Sequence, residues 1–85
     1  MNDKSILKKK ILYRSKHRGT KEMDLLLGNF VNKYIDTFNN EELLELNTFL
    51  NHDDDVIDKW YKDENFNNKK IPSNNVSKKL KKFKL

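Results

Sequence analysis

Apolar residues along this chain recur at helical spacing. Ser5 is placed to cap a first helix carrying Ile6, Leu7, Ile11 and Leu12 on one side and ending near Ser15. From about Thr20 to Phe38, Met23, Leu26, Leu27, Phe30, Tyr34 and Phe38 follow one another at steps of three and four, the stripe of a core-facing helix. Asn39-Asn40 ends that helix and caps a third, whose first turn holds Glu41 and Glu42 and whose inner side is Leu43, Leu46, Phe49 and Leu50. Asn51-His52-Asp53-Asp54-Asp55 breaks the chain and caps a short fourth helix with Val56, Ile57, Trp60 and Tyr61 inward. Residues 62–75 read as a polar linker around Ile71-Pro72. A last helix starts near Asn74 with Val76, Leu80 and Phe83 at i, i+4 and i+7, three apolar anchors that promise little burial. Two glycines and one proline leave too little punctuation for hairpins. The fold class expected is all-α, a small five-helix bundle formed by residues 1–85 as one domain, with 63–85 its basic C-terminal region.

Composition narrows the chemistry. The chain has no cysteine, which removes disulfides, thiolate nucleophiles and cysteine-ligated metal centres. No apolar run approaches the length of a membrane span, and the start of the sequence has the character of neither a secretory signal nor a transit peptide, so the expected compartment is the bacterial cytoplasm. Hydrophobic content of 35% against 36% charged residues sits near the disorder-prone corner, but nine aromatic rings supply core area that a disordered chain lacks. A domain of this size is expected to be only marginally stable, by a few kcal/mol.

Sixteen lysines and twelve asparagines, with no alanine or glutamine, resemble the output of an AT-rich genome, which weakens lysine content as evidence for any function. The net charge of +5 is laid out in blocks: +7 over residues 1–21, −9 over 22–64 and +7 over 65–85. That arrangement suits basic ends lying against an acidic middle better than it suits a continuous basic stripe for nucleic acid.

The densest local feature is Arg14-Ser15-Lys16-His17-Arg18-Gly19-Thr20-Lys21-Glu22-Met23-Asp24. Gly19 falls where the chain turns between two helices, and a residue without Cβ permits positive φ or close approach of another surface. Arg18 offers a planar fork for a carboxylate or carbonyl, Glu22 lies in the first turn of the second helix, and Asp24 is beside it. Taken alone, these residues fit a turn glycine with a solvated Arg18–Glu22 ion pair worth well under about 1 kcal/mol better than they fit a binding surface. His17 and His52 have no serine or carboxylate at triad spacing. Asp53-Asp54-Asp55 lacks the glycine and distal glutamate of a calcium loop, so helix capping is the expected role. No phosphate-binding glycine pattern exists. The basic end, Lys78-Lys79-Leu80-Lys81-Lys82-Phe83-Lys84-Leu85, has the character of an acidic-membrane or RNA contact, although the lysine bias favours a solvated helix face.

The run Tyr13-Arg14-Ser15, Arg18-Gly19, Glu22, Asp24-Leu25-Leu26-Leu27-Gly28 and Phe30 resembles the signature of the SdhE family, the FAD assembly factors of succinate dehydrogenase. Glu42-Leu43, Phe49-Leu50, Asp53-Asp54, Ile57 and Trp60 continue the resemblance over residues 6 to 62. Thr20, Asp55-Val56 and the basic tail depart from the family's pattern. The resemblance implies a five-helix bundle that is not an enzyme, binds the flavoprotein subunit of succinate dehydrogenase, and promotes covalent attachment of FAD to that subunit, with fumarate reductase open as a second client. It implies Arg18, Gly19, Glu22 and Asp24 as partner-binding residues, no cofactor or metal of the chain's own, and a monomer. The alternative reading is a small basic nucleic-acid-binding or antitoxin-type regulator, whose affinity would fall steeply with salt.

Overall fold

A computed structural model describes residues 3–62 and 71–84. Five helices follow one another: α1 (Asp3–Lys16), α2 (Lys21–Tyr34), α3 (Asn40–Phe49), α4 (Asp54–Lys62) and α5 (Asn75–Lys82), with a 3-10 turn at Ile35–Thr37 between α2 and α3. No strand is present among the described residues. The all-α, five-helix expectation is met.

Local signals explain three helix starts. Thr20 is extended and its hydroxyl accepts from Met23 N at 3.2 Å, capping α2. Asn39 accepts from Glu42 N at 2.8 Å while the Glu42 carboxylate accepts from Asn39 N at 3.1 Å, a reciprocal capping box. Asn74 and Ser77 repeat the device for α5, and the Ser77 hydroxyl also reaches the Pro72 carbonyl at 2.9 Å.

The stripe on α2 breaks off earlier than its periodicity suggests. The chain tightens into the 3-10 turn after Tyr34 and Phe38 is extended, φ −84° and ψ 139°. Phe38 stays buried all the same, its ring 6.2 Å from Phe30 and 6.4 Å from Tyr34. A side chain can keep its place in the core while its backbone leaves the helix. The first helix starts two residues before Ser5, and of its expected apolar side only Ile11 is fully buried; Leu7 and Leu12 pack at the margin and Ile6 faces solvent. Ser15 is buried instead, its hydroxyl donating to Leu12 O at 2.9 Å, where α1 crosses α2 beside Gly28. A Cβ on Gly28 would lie 3.5 Å from Lys16 Cγ and 3.8 Å from the Ser15 carbonyl, ordinary contact distances that leave room for a methyl group there.

One core joins all five helices: Ile11 from α1, Leu27, Phe30 and Val31 from α2, Leu43 and Leu46 from α3, Ile57 from α4, and Val76 and Leu80 from α5 are each fully buried. Val56 and Tyr61 lie at its edge. Of the expected linker, Lys62 belongs to α4, Ile71 is buried, and 63–70 lie outside the described residues.

The largest correction concerns the burial expected of α5, whose apolar anchors are more enclosed than their number suggests. Val76 and Leu80 are buried completely, and Phe83 stands edge-on to Phe30 and Tyr34 at 5.4 and 6.1 Å. Lys81 reaches the Trp60 carbonyl with its Nζ 4.7 Å from the Trp60 ring centroid, and the Tyr61 hydroxyl bonds to Phe83 O. Three apolar residues are few, but complete burial of Val76 and of Leu80 contributes about 1.5–3 kcal/mol each, so position outweighs number. No helix among the described residues is long and apolar enough to cross a membrane.

Candidate functional site

The turn between α1 and α2 lies over the α3–α4 loop, and a single arginine joins them. Arg18 Nε donates to Asp54 Oδ1 at 2.7 Å, Nη1 to the Leu50 carbonyl at 2.7 Å, and Nη2 to the His52 carbonyl at 2.6 Å. The reason lies at the end of α3. Leu50 is the C-cap of α3 and His52 follows in the loop, so the guanidinium takes carbonyls just past the helix and complements the negative end of its dipole. Arg14, one turn earlier on α1, acts in parallel: Nη1 donates to Asn47 Oδ1 at 2.7 Å and Nη2 to Asn51 Oδ1 at 2.5 Å. Arg14 on α1 and Arg18 in the turn that follows it thus pin this part of the chain to the end of α3 and the loop after it.

Asp54 completes the closure. Its second oxygen accepts from Gly19 N at 2.7 Å, so one carboxylate holds both the guanidinium and the backbone of the turn. From the other side Asp24 Oδ1 accepts from Arg18 N at 2.6 Å. The Arg18 and Asp54 side chains are only 11% and 17% exposed, which makes this a sheltered pair rather than a surface one.

Two expectations about the turn change accordingly. The Arg18–Glu22 pair does not form: Arg18 is consumed by Asp54 and α3, while Glu22 lies 3.1 Å from Lys62 Nζ, which also lies 3.1 Å from Asp58. The Lys62 ammonium is held above its ordinary value of 10.5, first by the hydrogen bond to Asp58 and then by that to Glu22. Gly19 also lacks positive φ. What it offers is space, because a Cβ there would lie 3.2 Å from the Asp54 oxygen that its own amide binds.

The four residues singled out in the sequence therefore come together but divide into two kinds. Arg18 and Asp24 face inward and fix the turn; Gly19 and Glu22 are exposed on it, beside Thr20. Asp54 is the member that the sequence reading assigned to capping alone. It does begin α4, but its separation of 36 residues from Arg18 hides the pairing from any local pattern. His17 stacks on Tyr13 with ring centroids 4.1 Å apart, and the Nδ1 atoms of His17 and His52 approach the carbonyls of Tyr13 and Phe49. No group of three potential metal ligands occurs among the described residues. The arrangement presents an exposed, glycine-centred turn held to the α3–α4 loop and flanked by acidic side chains.

Comparison with known proteins places most of the chain in one family. The family described as "Flavinator of succinate dehydrogenase" matches residues 9–84. The chain is 38% identical over 71 residues to the mitochondrial succinate dehydrogenase assembly factor 2 of Saccharomyces cerevisiae, covering 84% of this chain and 43% of the relative. It is 36% identical over 53 residues to the FAD assembly factor SdhE of Acetobacter pasteurianus, covering 62% of this chain and 49% of the relative. An Aspergillus flavus mitochondrial succinate dehydrogenase assembly factor 2 is 40% identical over 58 residues, 68% of this chain but 20% of its own length. The chain thus spans between a fifth and a half of these relatives. No solved structure matches it significantly.

Proposed function

Since this chain belongs to the family of flavinators of succinate dehydrogenase, we propose that it is an assembly factor that binds the flavoprotein subunit of that enzyme and promotes covalent attachment of FAD to it. The observation that supports this reading best is the turn held by Asp54, which leaves Gly19 and Glu22 outward on a backbone fixed from beneath. Attachment of a flavin is chemistry between the cofactor and its acceptor side chain. A factor that promotes it does so by holding the acceptor protein in a reactive geometry, a contribution of orientation rather than of acid–base groups. In this reading Gly19 is the point of closest approach and Glu22 sets register. Arg18 and Asp24 act on the partner through the shape of the turn. FAD remains on the client, and fumarate reductase, a related flavoprotein, is a second client to be tested.

The experiment supplies native or variant protein to the flavoprotein subunit with FAD and reads covalent flavin by fluorescence in a denaturing gel. Gly19→Arg places a long side chain at the ridge and is expected to abolish flavinylation while the variant keeps its helical circular dichroism. A folded Gly19→Arg protein that supports flavinylation as well as native protein overturns this reading.

A further inference from the structure

Outside the α1–α2 ridge, the most distinctive unassigned surface is a notch between the end of α2 and the outer face of α5. Tyr34 and Phe83 form its apolar wall, and Asn75, Lys78, Lys79 and Lys82 its rim, around a volume of about 330 Å³. We propose that this notch is a binding site for a short chain of linked phosphates, either free inorganic polyphosphate or the phosphate end of a nucleotide.

Three observations carry the assignment. First, the charge is uncompensated. Lys8, Arg18 and Lys62 pair with carboxylates, whereas among the described residues no carboxylate pairs with Lys33, Lys78, Lys79 or Lys82. Second, part of the site is already ordered. Lys79 Nζ stands 4.6 Å from the centroid of Tyr34 and 5.7 Å from that of Phe38, and Lys33 Nζ stands 5.5 Å from Tyr34. A lysine resting on aromatic faces keeps its full charge and loses less rotamer freedom when an anion arrives. Third, the apolar face of α5 is spent. Val76 and Leu80 are in the core and Phe83 packs on Phe30, so this basic helix has no hydrophobic side left to enter a bilayer. Lysines at positions i, i+1 and i+4 then offer three ammonium groups to one compact anion. A single phosphate cannot engage three such groups as well as two or three linked ones do.

Isothermal titration of the full chain with tripolyphosphate, ATP and orthophosphate, in about 0.1 M salt so that diffuse attraction is screened, tests the site. Tripolyphosphate is expected to bind saturably and orthophosphate at least about tenfold more weakly. ATP binding tighter than tripolyphosphate identifies a nucleotide with its base against Tyr34 and Phe83; equal or weaker binding identifies the bare phosphate chain. The triple variant Lys78→Gln/Lys79→Gln/Lys82→Gln is expected to lose about tenfold or more in affinity, while Lys4→Gln/Lys10→Gln/Lys21→Gln, which removes the same charge elsewhere, stays within about twofold of native. Absence of saturable binding of tripolyphosphate by native protein, or equal losses in the two triples, overturns the proposal.

Discussion

At the scale of single residues the protein turns on Arg18. A guanidinium with all three nitrogens engaged, to Asp54 and to two carbonyls at the end of α3, is worth more to the fold than the surface ion pair its sequence neighbourhood suggests. Removing one member of a sheltered pair strands the other. Arg18→Ala and Asp54→Ala are each expected to cost about 2–3 kcal/mol, below the range for fully buried pairs because some solvent reaches both. The double variant should cost distinctly less than the two singles added together, since the second truncation removes a group already stranded. Urea denaturation of the four proteins measures this, and additive losses would show that the two side chains act independently. The residue pattern made Arg18, Gly19, Glu22 and Asp24 legible as a set, because they lie within seven positions of one another. Their division into inward and outward members was not legible, because it depends on a carboxylate brought from another helix.

At the scale of elements, what is local reads well and what is tertiary does not. The Asn39 cap and the starts near Thr20 and Asn74 follow from side chains that bond backbone a few residues away, and they were found in the sequence, although Thr20 was not recognised there as a cap. The end of α2, the exposure of Ile6 and the weight of α5 depend on what each element meets. Helix α5 shows the difference most plainly: it has only three apolar side chains, but two of them are fully enclosed. Leu80→Ala is therefore expected to cost about 2–5 kcal/mol, a large part of the stability of so small a domain. Thermal unfolding followed by circular dichroism should show a much lower midpoint; a native-like midpoint would show that α5 is dispensable to the core. Removal of residues 78–85 takes Leu80 and Phe83 with the lysines, so the charge of this region is properly tested by lysine substitutions and not by truncation.

At the scale of the whole molecule, one core and a divided charge pattern govern behaviour. Trp60, packed edge-on against Phe49 at 5.4 Å and covered by Lys81, belongs to the same cluster as Phe30 and Leu46. Trp60→Ala is expected to cost about 3–5 kcal/mol and to leave little folded protein at 37 °C, read from the loss of cooperative urea unfolding. A cooperative variant of nearly native stability would place Trp60 outside the core. The charge blocks seen in the sequence resolve unequally: Lys8–Asp36 and Arg18–Asp54 join the basic start to the acidic middle, while Lys78, Lys79 and Lys82 of α5 pair with no carboxylate among the described residues. The Asp54 clamp has one further consequence. The ridge that carries Gly19 is assembled from the ends of α1, α3 and α4, so a chain with its helices formed but α4 undocked does not display it. Recognition of this ridge is then thermodynamically linked to folding. A client that binds it selects completed molecules from incomplete ones and, by mass action, protects them from unfolding in proportion to its own concentration.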